Sequence, residues 1–307
     1  MEQNQRLRAL LYERLPHYEI KEEEPLAKHT SFRIGGPAEL TVFPRSREEL
    51  QTALRCAAET GCKPRILGAG TNVLAPDEGV RGLVLCLRDT FMGLTLLDDT
   101  RIEAMSGMTL AKTAMFAARN RLSGLEFAHG IPGTVGGAIY MNAGAYGGEM
   151  RDVAVETEFM RLDGTIERFS GAEQGFGYRT SAFQQKEGVI VSAIFALTAG
   201  DEAEIRERIY ELNQRRRASQ PLELPSAGST FKRPKEGYAA ALIEQAGLKG
   251  FTVGGAAVSE KHAGFVVNLG GATAADVLRL IDAVRERVLQ SSGIELEPEV
   301  RLWRTEG

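Results

Sequence analysis

A chain of 307 residues is long enough to bury a large core and to divide into two or three domains. Its 43% hydrophobic and 25% charged content excludes the disordered and fibrous classes. With 37 basic and 41 acidic side chains the formal charge is −4, the wrong balance for a nucleic-acid binder, so no such partner is expected.

In chain order, the first 25 residues read as an amphipathic helix running into the acidic stretch Lys21-Glu22-Glu23-Glu24-Pro25. Charge interrupts every apolar stretch of MEQNQRLRALLYERLPHYEI, so no secretory signal is expected and the location is read as cytoplasmic. KHTSFRIGG and a strand over 38–43 follow. Ser46-Arg-Glu-Glu49 then has the pattern of a capping box, and Gly61 suits the position just past the end of the helix. Residues 64–67 and 82–87 read as buried strands, so this part is βαβ-like. A helix is expected over 109–120, whereas eight glycines over 124–150 argue against regular structure there. Helices follow over 202–217 and within 237–247, with strands over 251–258 and 264–269. The clearest helix begins at Thr273 and stops near Gly293: Val277, Leu280, Ile281, Val284 and Val288 repeat at helical spacing. PSAGSTFKRP, residues 225–234, is neither a good helix nor a good strand and is expected as a loop.

Cys56, Cys62 and Cys86 match no zinc spacing and read as reduced, mostly buried thiols. The four histidines form no H-x-x-x-H pair, so no metal is expected. No apolar run approaches 18 residues, so no membrane span is expected.

Two glycine loops carry the functional signal. LGAGTNVL (67–74) departs from the dinucleotide fingerprint, because Val73 replaces its third glycine and Leu74-Ala75-Pro76 cannot open a helix. A turn rich in backbone N–H groups remains, a nest suited to phosphate, built from Gly68, Ala69, Gly70, Thr71 and Asn72. The second loop sets Pro132 among Gly130, Gly133, Gly136 and Gly137, followed by Ala138. Two weakly charged glycine loops point to a large anionic cofactor held by main chain. A flavin nucleotide with its pyrophosphate fits that description.

KHTSFRIGG, LGAGTNVL, GIPGTVGGAIYMNAGAYGGE, YRTSAF, PSAGSTFK and EPEV stand in the order found in the UDP-N-acetylenolpyruvoylglucosamine reductases, and the chain resembles that family over 29–303. The spacing of Arg179 and Ser229 is similar to that of the shorter, second subtype. The resemblance implies an α+β fold with a two-subdomain FAD-binding domain of the vanillyl-alcohol-oxidase type (1–88 and 89–199). It also implies a C-terminal α+β substrate-binding domain (200–307), with the strand at 296–303 returning to the active site. FAD is the implied cofactor, NADPH the electron-donating co-substrate, and a small nucleotide-sugar the substrate; a monomer is expected. Arg233 stands where many members have asparagine.

By the same resemblance, Arg179 supplies a cation to the substrate carboxylate, Glu299 helps to stabilise the charged intermediate, and Ser229 delivers a proton to C2. A hydroxyl is a poor acid in water, so this delivery depends on placement. Ser226 and Thr230 remain alternatives to Ser229 on the residues alone, and Glu299 has a structural alternative in pairing with Arg301. Arg217, Lys232, Lys249 and Arg301 are candidate contacts to the substrate diphosphate or carboxylate. A flavin oxidase on the same fold and a non-catalytic nucleotide-sugar sensor are the rival readings.

Overall fold

The computed structural model describes residues 2–17 and 19–305. The chain divides into two compact units that do not follow chain order. The first comprises Met1–Glu22, Leu40–Ala69 and Gly82–Arg215; the second comprises Glu23–Glu39, Gly70–Arg81 and Arg216–Gly307.

In the first unit the N-terminal helix ends early, at Glu2–Arg14, and the acidic stretch expected to follow a helix is instead the strand Ile20–Pro25. Leu7 and Leu11 of the helix are fully buried against Leu50, Leu54 and Ala57 of the helix Arg47–Glu59. Burying each leucine stabilises the fold by about 2 kcal/mol, which offsets the modest propensity of so charged a helix. Ser46 caps Arg47–Glu59 by accepting from the Glu49 N–H, while Glu49 reaches past the cap to accept from the Arg45 N–H at 2.8 Å. Gly61, at φ +70°, follows the end as expected. This helix leads into Arg65–Leu67, which pairs in parallel with Val80–Cys86 in a four-stranded sheet that also contains Ile20–Pro25 and Pro37–Val42.

A second, antiparallel sheet of the first unit runs in the order Ile166–Ser170, Ala154–Arg161, Gly188–Ala196, Arg101–Met105, Leu94–Leu96. The core over it is shared with the helix Leu110–Arg119, capped by Thr109, and with a short helix Val135–Met141. That helix corrects the sequence reading of the glycine-rich stretch. Gly136 lies inside it because a Cβ there would come within 2.8 Å of Ser106 Cβ, so close packing outweighs the propensity cost of about 1 kcal/mol. Cys56, Cys62 and Cys86 are buried, and no disulfide joins them among the described residues.

The second unit is built on the antiparallel order Ser226–Ser229, Phe265–Asn268, Ala256–Val258, Thr252–Val253. Residues 251–258 are thus two strands rather than one run. The helix Ala274–Ser292 packs Val277, Leu280, Ile281, Val284 and Val288 into this unit's core. It begins with a complete Thr273–Asp276 capping box and ends at Gly293 in the left-handed region. Segments from early in the chain complete the unit: Phe32, Ile34 and Leu74 enter the same core. Asp77 accepts from the Ala274 and Ala275 N–H groups, at 2.7 and 3.0 Å. Arg301–Leu302 pairs in parallel with Val73–Leu74. No helix among the described residues is long and apolar enough to cross a membrane.

Candidate active site

PSAGSTFKRP is an edge strand with a defect, where a loop was expected. Ser226 pairs with Val267 and Ser229 with Phe265, so two residues, Ala227 and Gly228, stand where the partner strand has one. This is a β-bulge, and Gly228 supplies the positive φ (+76°) that it needs. The bulge takes the Val266 N–H away from a strand carbonyl, and Thr230 Oγ1 accepts it at 3.0 Å. The three candidate hydroxyls therefore separate. Thr230 is buried and bonded to the backbone, Ser226 Oγ accepts from Gly228 N–H, and Ser229 is exposed.

Glu299 is brought beside this strand. Its N–H donates to Thr230 O at 2.7 Å, Lys232 N–H donates to Glu297 O, and Phe231 faces Pro298 across an isolated bridge. The residue is half-buried. Asn72, the last residue of the expected phosphate nest, donates its side-chain amide to Glu299 O at 3.3 Å, and its backbone carbonyl accepts from Arg301 N–H. Nearby, His262 packs edge-on to Phe265, the partner of Ser229, and burial pushes its imidazole below the usual histidine range.

Arg179 belongs to the first unit. It sits at φ +54° in a tight turn closed by reciprocal Gly177 and Thr180 backbone bonds, its guanidinium stacked 5.2 Å from the Tyr178 ring centre. A left-handed arginine costs about 1 kcal/mol and persists only where its surroundings hold it. Asn142 and Gln184 do so, and the sequence reading missed both. The fully buried Asn142 donates to Gly177 O at 2.9 Å and accepts from Arg151 N–H. Gln184 donates to the carbonyls of Arg179 and Tyr140.

The glycine loops are shaped by close approach. A Cβ on Gly68 would lie 2.4 Å from Thr134 Oγ1, and one on Gly70 would lie 2.2 Å from His29 O. Several N–H groups of the second loop are used within the protein: Gly136 donates to Ser106 O and Ala138 to Thr134 O, while Gly137 approaches Thr134 Oγ1 at 3.5 Å. Gly133 accepts from Leu110 N–H, and Gly130 ends the short helix Glu126–His129 just before Pro132. Beside Gly136, Ser106 Oγ is buried without a partner among the described residues. Neither loop carries a charge, so backbone and hydroxyl groups are the donor set, which fits a dinucleotide cofactor whose phosphates need close main-chain approach. No other sequence signal marks Ser106.

The expected substrate contacts are spread over the second unit. Lys232 pairs with Glu297 and Lys249 with Glu244, both near the surface. Arg217 is exposed and its carbonyl accepts from Lys261, and Arg301 lies on the strand beside Val73. Exposed pairs of this kind are worth about 0.5 kcal/mol, so an anionic ligand can displace the carboxylate at small cost.

Residues 38–170 match the FAD binding domain family, and residues 220–303 match the C-terminal domain of UDP-N-acetylenolpyruvoylglucosamine reductase. The reductase of that name from Syntrophomonas wolfei is 45% identical over 292 residues, 95% of this chain and 97% of the relative. A second, from Symbiobacterium thermophilum, is 48% identical over 284 residues, 92% of each chain. The crystal structure of UDP-N-acetylenolpyruvylglucosamine reductase from Thermus caldophilus aligns with a TM-score of 0.81 at 36% identity, covering 94% of this chain and all of that one. Glucooligosaccharide oxidase from Acremonium strictum aligns at 0.50 and 14% identity over 95% of this chain and 60% of its own, a likeness of fold alone. The α+β flavoprotein fold expected from the motifs is borne out.

Proposed function

The chain belongs to the UDP-N-acetylenolpyruvoylglucosamine reductases, and from that membership we propose that it reduces UDP-N-acetylglucosamine enolpyruvate to UDP-N-acetylmuramate, with NADPH as electron donor, in peptidoglycan precursor synthesis. Its cofactor is FAD, which when bound supplies the hydride that adds to C3 of the enolpyruvyl group. The residues that would hold it are Gly68–Asn72 as main-chain donors and the Gly130–Ala138 loop, with Ser106 Oγ as a further donor.

The chain's own part is to stabilise negative charge and deliver one proton. Arg179 binds the substrate carboxylate, where charge builds as C3 is reduced; its planar fork matches the two oxygens, and its braced turn fixes it before charge develops. Ser229 gives its hydroxyl proton to C2 on one face. Glu299, whose backbone is bonded to the neighbour of Ser229, holds the site's hydrogen bonding around that carbon. The observation that carries this reading is the bulge: it engages the Ser226 and Thr230 hydroxyls with backbone and leaves Ser229 exposed at the end of a hydrogen-bonded strand. A donor with no acidity of its own works only when held in reach of its acceptor, and that strand supplies the hold.

The test follows flavin absorbance under anaerobic conditions. NADPH should bleach the yellow band and UDP-N-acetylglucosamine enolpyruvate should restore it. Ser229→Ala should keep the bleaching and lose about 10³-fold or more of the recovery rate. Recovery by that variant at the parent rate sinks the proton-donor assignment. Bleaching of the parent that persists until air is admitted identifies an oxidase.

A further inference from the structure

We propose that Ser31 is a positioning residue for proton delivery: its hydroxyl holds the strand that carries Ser229, while its backbone N–H is bonded to the cofactor loop at Gly70. This rests on the reading of Ser229 as the proton donor.

Ser31 Oγ lies 2.6 Å from Ser226 O and 3.2 Å from Gly70 O, and Ser31 N–H donates to Gly70 O at 3.1 Å. A hydroxyl carries one proton, and the shorter distance assigns it to Ser226. Gly70 O keeps the backbone N–H whatever the side chain at 31. The hydroxyl is thus a tie to the serine strand alone, and the backbone a tie to the cofactor loop.

The mount of this tie is stiff. Phe32 and Ile34 are 1% and 3% exposed in the core of the second unit. Asn268 donates its amide to Phe32 O at 3.0 Å, and Thr30 Oγ1 donates to Ile34 O and accepts from Ile34 N–H. Residues 30–34 are therefore held by packing on one side and hydrogen bonds along their length, and Ser31 projects from a fixed support.

The strand it holds is soft where it matters. Ser226 opens the bulge and Ser229 closes it, so the direction of the Ser226 carbonyl sets the path through Ala227 and Gly228 to the proton donor. On the side where a Gly228 Cβ would point, nothing lies within 4 Å. Ala227 seats one side of the bulge in the core, but the Gly228 side is open, and there the hydrogen bond from Ser31 fixes the direction of the Ser226 carbonyl that opens it. Proton transfer is sensitive to displacements of a fraction of an ångström, so loss of this bond reaches the chemistry without any contact between Ser31 and substrate.

The experiment uses the FAD-loaded enzyme in three forms: parent, Ser31→Ala and Ser31→Thr. Each is reduced anaerobically with NADPH, then mixed with UDP-N-acetylglucosamine enolpyruvate in H₂O and in D₂O, and the return of flavin absorbance is timed. Ser31→Ala is expected to retain FAD and its reduction by NADPH, to slow reoxidation about tenfold, and to enlarge the solvent isotope effect on that step. Ser31→Thr, which keeps a hydroxyl, should return the rate to within about twofold of the parent. A Ser31→Ala rate equal to the parent's overturns the proposal. Equal slowing in Ser31→Thr and Ser31→Ala also overturns it, because the loss then follows packing. If the reduced parent enzyme is not reoxidised by this substrate at all, the reading of the reaction fails first and the proposal with it.

Discussion

Gly70→Ala tests the link between a sequence motif and the architecture of the second unit. Gly70 sits at φ +60°, and an added Cβ would lie 2.2 Å from His29 O and 2.7 Å from Thr30 Cα. Both are backbone atoms, so no rotamer relieves the clash, and the 29–31 segment must retreat by about 1 Å to reach ordinary contact. That retreat breaks or lengthens the bond from Ser31 N–H to Gly70 O, worth about 1 kcal/mol, and the left-handed alanine costs a further 1–2 kcal/mol. Reduced entropy of the unfolded chain returns somewhat less than 1 kcal/mol, which leaves a net loss of about 2 kcal/mol. The chain's single tryptophan, Trp303, lies in the second unit, bonded through its N–H to Leu74 O, so its fluorescence reports unfolding there. In a urea titration of the apoprotein, with a slope of about 2 kcal/mol/M, the midpoint should fall by roughly 1 M. FAD should bind more than about tenfold more weakly. A midpoint within about 0.3 M of the parent's, with FAD affinity unchanged, refutes the steric reasoning.

Asn142→Gly keeps the left-handed backbone and removes both amide bonds; it should lower stability by about 2 kcal/mol and slow the substrate half-reaction, read by thermal melting and by flavin reoxidation. Unchanged reoxidation would separate Asn142 from the placing of Arg179. The Asp276 carboxyl is held down to about 2 by the Thr273 N–H, the Arg279 guanidinium and the Gly255 N–H. Its stabilising contribution is therefore complete above the ordinary aspartate value of 3.8 and is lost as pH falls through about 2. Asp276→Asn should remove that part of the acid sensitivity of the Trp303 signal, and an unaltered acid transition would count against it.

Much of this fold is written in local chemistry. Ser46, Thr109 and Thr273 cap helices, and Gly293 ends one, because a cap is decided by residues within one turn. The face Val277, Leu280, Ile281, Val284 is legible for the same reason: its period is a property of the helix itself. The six ordered motifs identified the family, and with it FAD, the fold and the residues to examine.

What local chemistry leaves out is carried by pairs far apart in the chain. PSAGSTFKRP has no strand pattern, yet it is a strand because Phe265 and Val267 offer it a ladder. Gly136 and Gly137 read as breakers but stand in a helix, since Ser106 leaves no room for a Cβ at Gly136. Ser31 meets Ser226 across 195 positions, and Asn72 meets Glu299 across 227. A hydroxyl or an amide has no sequence signature for a partner at that distance; the partner is chosen when burial of Phe32, Ile34 and Leu74 draws early segments into the core of the second unit. The residue types proposed for the chemistry are visible in the chain itself, while the bulge, the left-handed arginine and the bond from Ser31 to Ser226 arise only from packing, because each is held by atoms that the sequence keeps apart.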